Sequence, residues 1–454
     1  MILLSLKCKD WKRRLLSTFW TIILLQLGMG FVAHAETTFP IYPCIQVNVR
    51  FWEAIYGRYT TRQGVIHDAE DLGRVYSVVE LIDWKLPWAS LVNGERIKRE
   101  KDRVKAVLQS LASGSPPQTT EARRIAALFP RKRHSNFSQA RDSVRLQLGQ
   151  KDRFLEGVIR SGRYLADFRH TFERYGLPKE LSYLPHVESS FNPKAYSKAG
   201  AAGLWQFTRS TGSDYLLITP LVDERYDPYL ATDAAARLLR DNYKALGSWP
   251  LALTAYNYGR AGMLRAVGEH GNYERIFSLY NGGSFKFAAR NFYSEFVAAT
   301  RVAQRLERSL TLRKDQPEHL STYRLATATA FSRLLNQTGL SHDQFVRLNP
   351  ALQTPVIEGK QPAPQGYLVR KPGAKTTMPA RIAHKSSPKL PKIKKQSPPS
   401  ATPYRKVAYV VQKGDSMTSI ARKFKVSPQV LSAANKEQRM VRTGEKLFIP
   451  QYNK

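Results

Sequence analysis

Cysteine is nearly absent from this chain. Cys8 and Cys44 are the only two in 454 residues. Acidic residues are also scarce, 36 Asp and Glu against 71 Lys and Arg, leaving a net charge of +35. Such an excess selects anionic partners: nucleic acid, anionic lipid or an anionic polymer. The nine histidines form no HExxH and no metal-spaced cluster, and no CxxC occurs. No metal and no cofactor is therefore expected. Acids are missing altogether from residues 371–406, "KPGAKTTMPARIAHKSSPKLPKIKKQSPPSATPYRK", which are rich in Pro, Lys and Ser. A segment of that composition cannot bury a core and is expected to be an extended, disordered linker.

Charge is missing once more from "LLSTFWTIILLQLGMGFVA", which comes after Lys7, Lys9, Lys12, Arg13 and Arg14. "AHA" then sets Ala33 and Ala35 where a signal peptidase needs small residues. Residues 1–35 read as an export signal, with a retained membrane anchor as the alternative. Its five basic residues and Asp10 leave with it, so about +31 remains and Cys44 has no partner for a disulfide. Export removes most of the case for nucleic acid and favours an envelope polymer. The expected location is the periplasm or cell envelope. Peripheral association with the membrane stays open. Cys8 precedes the apolar run and directly succeeds Lys7, so it is no lipoprotein cysteine.

What is present is a largely globular chain, 42% hydrophobic and 11% aromatic. Residues 36–150 read as helical, with Phe51, Trp52, Ile55, Tyr56 and Tyr59 on one face. The basic stretches "IKREKDRVK" and "FPRKRH" read as solvated surface. In "YDPYLATDAAARLLRDNYKALG", Asp227 is placed as a helix N-cap, Pro228 in the first turn and Gly247 just past the end.

The chemistry centres on residues 151–310. In "YGLPKELSYLPHVES", Leu181, Leu184 and Val187 recur every three residues, and Pro185 should distort the helix just before Glu188. That leaves Glu188 at a helix end among apolar side chains, where desolvation raises a carboxyl pKa and suits a general acid. Nearby, "SKAGAAGLWQF" supplies Gly200 and Gly203 for tight turning and close approach to a ligand. Trp205 offers a flat apolar face, and Gln206 a donor and an acceptor. "LTAYNYG" adds Tyr256 and Asn257 at another helix end. In "DERYD", Asp223 and Glu224 read as a turn or salt-bridge cluster, and Asp227 as the cap.

Glu188-Ser189, "GLWQ" at 203–206 and "AYN" at 255–257 together resemble the lytic murein transglycosylases of the goose-type lysozyme superfamily, most of all the membrane-bound D type. The resemblance covers roughly 150–310 and implies a mainly α, lysozyme-like catalytic domain acting on peptidoglycan glycan strands. It implies Glu188 as catalytic acid/base and Ser189 as its motif partner. Gly203, Leu204, Trp205 and Gln206 would line the cleft, and Tyr256 and Asn257 would bind substrate. In "ARNFYSEF", Tyr293 or Phe292 takes the place of a fourth-motif tyrosine. One carboxylate suffices if N-acetylmuramic acid supplies the rest: its acetamido oxygen steadies charge at C1 and its C6 hydroxyl attacks there, giving a 1,6-anhydro sugar. The alternatives are a muramidase that uses water and a non-catalytic wall-binding scaffold.

Residues 407–454 read as β-α-α-β and resemble a LysM domain. The resemblance implies binding to N-acetylglucosamine-containing glycan through Gly414, Asp415, Ser416, Met417 and Asn435. Residues 311–370 echo that layout without its Gly-Asp, as a degenerate copy or an extension of the catalytic body.

Overall fold

The computed structural model describes residues 38–130, 134–309, 311–373, 404–412, 443–452 and scattered positions between the last two ranges. The linker therefore lies almost wholly outside the described residues, as does the export signal. The chain divides into two units, Met1–Ala380 and Arg381–Lys454.

The first unit is built on helices. Helix α1 (Gln46–Gly57) buries Val49, Phe51, Trp52, Ile55 and Tyr56, the expected face apart from the half-buried Tyr59. It packs along the helix Phe287–Glu307, which buries twelve of its own residues. Around them one core gathers Phe154, Phe168, Phe172, Leu181, Leu184 and Trp205.

Residues 36–150 are not purely helical, a correction to the sequence reading. Strands β1 (Gln63–Asp68), β2 (Val75–Glu80) and β3 (Val144–Leu148) form an antiparallel sheet in the order β2-β1-β3. Val65 pairs with Val78, and Ile66 with Leu146. Five consecutive residues of β1 are buried, so "QGVIHD" shows none of the alternation that marks a half-buried strand. Helix α2 (Ala89–Ala112) covers this sheet together with Thr120–Ala127 and His134–Asp142. Val104, Leu108, Phe129 and Phe137 meet Ile66 and Tyr76 in a second core.

Further along, α3 (Lys151–Ser161) and α4 (Leu165–Arg174) lead to a five-residue 3-10 helix and the single turn α5 (Pro185–Glu188). Helix α6 (Pro228–Leu246) starts and stops on local signals. Asp227 accepts from the backbone of Tyr229 and Leu230, Pro228 opens the first turn, and Gly247 closes it at φ 75°. Helix α7 (Trp249–Tyr258) and α8 (Phe287–Glu307) complete the site's scaffold.

The accessory segment runs β4 (Leu320–Arg324), α9 (Phe331–Thr338), α10 (His342–Leu348), a single helical turn (Thr354–Ile357) and β5 (Leu368–Pro372), with β4 and β5 antiparallel. It sits on the catalytic body. The Asp223 amide donates to Ala351 and that of Gln353 to Leu221, both across the bridge Val222–Leu352. Beneath these, the buried Arg370 guanidinium pairs with Asp227, the cap of α6.

In the second unit, β6 (Tyr404–Val410) and β7 (Lys446–Tyr452) pair antiparallel over Val411, Ile420, Leu431, Leu447 and Ile449. An asparagine ties the last strand in each of the two modules. Asn435 donates to the carbonyls of Leu431 and Phe448 and accepts from the Phe448 amide. Asn349 does the same with Phe345 and Arg370.

Candidate active site

Glu188 ends the four-residue turn that Pro185 begins. Proline at the first position has no amide to lose and a φ already suited to a helix. The backbone just beyond Glu188 is strained: Ser190 and Phe191 have φ of 50° and 54°, and Gln206 in the neighbouring loop has 49°. Non-glycine residues seldom occupy this region, and strain of this kind is kept where function requires the geometry. The strained turn is anchored from several sides. Arg160 donates to the Ser190 carbonyl at 2.8 Å, and Gly157 lets α3 approach so closely that a Cβ there would lie 2.8 Å from the same oxygen. Phe191 is fully buried against His186 and Phe168.

Glu188 is half-buried at the edge of a cleft. Desolvation, reinforced by the Glu295 carboxylate, pushes its pKa from 4.5 up to about 8. It therefore carries a proton at neutral pH. His186, two residues earlier, is stacked among Phe154, Tyr183 and Phe191, and burial lowers it to about 3. It is a neutral ring in an aromatic core and does not serve as a base.

The other motif residues divide into supports and surfaces. Ser189 donates to the Leu204 carbonyl at 2.8 Å, stapling the Glu188 turn to the GLWQ loop. Tyr256, from α7, donates to the Trp205 carbonyl at 2.7 Å. Burial and the Glu188 charge hold its phenol far above its ordinary pKa, so it stays neutral. Gln206 spends its amide nitrogen on the carbonyls of Gly203 and Ala195. Asn257 is exposed at the end of α7.

Four sequence expectations are corrected. Trp205 offers no face to a sugar: it is 0% exposed, packed between Phe168 and Phe172, with its indole nitrogen on Thr232. Leu204 is likewise buried. The close approach at Gly203 is to protein rather than ligand, because a Cβ there would fall 1.9 Å from the Arg225 carbonyl oxygen. Gly203→Ala, with φ at 75° and no room, should destabilise the fold by about 2–3 kcal/mol, read by thermal or chemical unfolding. Tyr293 points away, donating to Pro40 and packing on Tyr273; Phe292 is the residue stacked on Tyr256.

In the C-terminal module, Gly414, Ser416 and Met417 lie outside the described residues. Asp415 accepts from Tyr409 and the Gln412 amide, and Asn435 is spent on the strand tie. Both contacts of Asp415 fall on Oδ2, so its Oδ1 is left for a ligand, whereas the Asn435 amide is committed to the strand.

The sequence reading missed Glu295 and the wall of the cleft. Glu295 sits on α8, desolvated up to about 8, and Tyr56 of α1 hydrogen-bonds it. Its signal was available: an acid among Phe292, Phe296, Ala298 and Ala299, with no basic residue three or four places away. A cleft of about 830 Å³ opens at Glu188, lined by Gln147, Gln150, Arg153, Glu156, Arg160 and Asn192 among others. Most of that wall comes from residues 146–160, the run from β3 through its connection into α3, upstream of every motif.

A family model for the transglycosylase SLT domain matches residues 169–277, and one for the LysM domain matches 409–450. Membrane-bound lytic murein transglycosylase D of Escherichia coli K12 is 26% identical over 316 residues, 65% of this chain and 68% of that one. This chain is its homologue, with an SLT and a LysM domain. Membrane-bound lytic murein transglycosylase C of Actinobacillus succinogenes is 28% identical over 173 residues, 33% of this chain and 48% of that one. The solved 70 kDa soluble lytic transglycosylase of Escherichia coli aligns with 50% of this chain and 37% of its own, at 17% identity and a TM-score of 0.28. Glu188, the GLWQ loop, Tyr256 and Asn257 fall inside the SLT match; the β3–α3 wall, Phe292 and Glu295 lie outside it.

Proposed function

We propose that the protein is an exported peptidoglycan lytic transglycosylase. It cleaves the β-1,4 bond between N-acetylmuramic acid and N-acetylglucosamine and leaves a 1,6-anhydro end. The observation that carries this reading is Glu188, protonated near neutral pH at the head of a cleft. Glu188 gives its proton to the glycosidic oxygen as the C1–O bond breaks. The muramoyl acetamido oxygen supports the charge at C1. The C6 hydroxyl then attacks C1 and returns a proton to Glu188, so no water is consumed.

The remaining carboxylates fit this division of labour. Asp223 is held by Arg225 at 2.7 Å and Asp227 by Arg370. Glu295, raised to about 8, is a poor nucleophile at neutral pH. Glu156 lines the same cleft and is exposed beside Arg160, so a hydrolytic muramidase with Glu156 as base is the second reading. Mass spectrometry of digested sacculi separates the two, since anhydro ends are lighter by one water. Anhydro products are expected, and products with free reducing ends would overturn the reading.

The charge of Glu295 adds to the rise in the Glu188 pKa. Losing the Glu188 proton should switch the enzyme off as pH rises through about 8. Glu295 is the lesser cause of the raised Glu188 pKa, after burial. Glu295→Gln should accordingly shift the alkaline limb of kcat/KM down by up to about one unit. An unmoved limb would separate the two groups.

The C-terminal LysM unit binds the same glycan in this reading, and 311–370 is a second, docked module of LysM type. The shared antiparallel strand pair and the matched asparagine ties support that kinship.

A further inference from the structure

Among the described residues no helix is long and apolar enough to cross a membrane. Yet the turn from β2 into α2 carries a cluster of large apolar side chains turned to solvent. Trp88 is 79% exposed, Leu91 64% and Leu86 52%. The Ala89 amide donates to Leu86 and that of Val92 to Trp88, so the three share one turn. Trp88 and Leu91, three apart, stand on the same helical face, opposite the buried Ala89, Asn93, Val104 and Leu108. Trp84 is fixed behind them by its indole hydrogen bond to the Thr61 carbonyl.

Trp88 also has φ of 62° at the position that starts the helix. Glycine or asparagine holds that conformation more cheaply, and a bulky residue there is an outlier. Its ring gains nothing from the core in return. A strained, exposed tryptophan points to a use outside the fold.

Charge indicates what that use is. Residues 85–105 hold seven Lys and Arg against Glu95, Glu100 and Asp102. Lys85, Lys98 and Arg99 are exposed along the same turn and helix. An aromatic and aliphatic tip beside a basic surface matches the interface of an anionic bilayer: apolar groups enter the acyl boundary, tryptophan sits at headgroup depth and the cations face anionic headgroups.

We propose that the Leu86–Leu91 tip is a peripheral membrane anchor that inserts into anionic phospholipid. This goes beyond the glycan chemistry and does not depend on it.

The test is co-sedimentation of the full chain with phosphatidylcholine vesicles and with vesicles of equimolar phosphatidylcholine and phosphatidylglycerol. Wild type should bind the anionic vesicles preferentially, less so at high salt. Trp88→Gly combined with Leu91→Ser should weaken that binding at least tenfold and leave cleavage of short soluble glycan at the wild-type rate. Trp88→Gly alone should raise Tm, because glycine relieves the backbone, while lowering vesicle binding. Acyl chains carrying bromine should quench wild-type tryptophan fluorescence, and Trp88→Phe should remove most of the quenching. Equal vesicle binding by wild type and the double variant would overturn the proposal. So would a change of oligomeric state in the double variant with vesicle binding intact, which would make the tip a self-association surface.

Discussion

Glu188→Gln should lower peptidoglycan cleavage by roughly 10²–10⁴-fold, the range a positioned general acid supplies, and should make the protein more stable at neutral pH. Glutamine keeps the shape and removes the transferable proton. The stability gain is a linkage effect. In the unfolded chain Glu188 ionises near its ordinary 4.5, and in the fold it holds its proton up to about 8. Between those values the folded state binds more protons, so stability falls as pH rises, by up to about 1.4 kcal/mol per unit. Glutamine has no such slope. The Tm of the variant should exceed wild type at pH 7–8 by the equivalent of roughly 1–3 kcal/mol, and the two should converge near pH 4. Cleavage within twofold of wild type would remove Glu188 from the mechanism.

Arg370→Met should cost about 3–5 kcal/mol, because it strands the Asp227 carboxylate in a nearly dry site. Asp227 and Arg370 are 1% and 3% exposed. Asp227 would keep its cap on α6, but with an uncompensated charge. The loss should reach the site. Asp227 ends the loop whose Arg225 donates to the carbonyls of Gly200 and Phe207, on either side of the GLWQ turn. Adding Asp227→Asn, which retains capping ability, should restore most of the stability. Denaturant unfolding of the two single variants and the double variant closes the cycle. A loss under about 1 kcal/mol for Arg370→Met would show the pair to be marginal.

Local signals were the legible part. Asp227, Pro228 and Gly247 act within one turn of their own position, so the ends of α6 could be read directly. Glu188 was legible because Leu181, Leu184 and Pro185 fix its surroundings from within seven residues. Long-range facts were not. Trp205 in a glycine-rich loop reads equally as stacking platform or core, and only Phe168, Phe172 and Thr232 decide between them. Tyr293 and Phe292 differ by one residue, about 100° around a helix. That rotation sends the hydroxyl to Pro40 and leaves Phe292 against Tyr256. Glu295 matters through Glu188 and Tyr56, more than 100 residues away in sequence. Strand β1 lacked alternation because both of its faces are covered.

The paired asparagine ties differ in the length of chain they span. From tie to strand spans 21 residues in the module on the catalytic body and 13 in the C-terminal one. Ala351, Leu352 and Gln353, which join Leu221–Asp223, lie in the longer stretch. The longer stretch exceeds the other by eight residues, the difference between 21 and 13, and it carries the backbone bonds that fuse this module to the catalytic body.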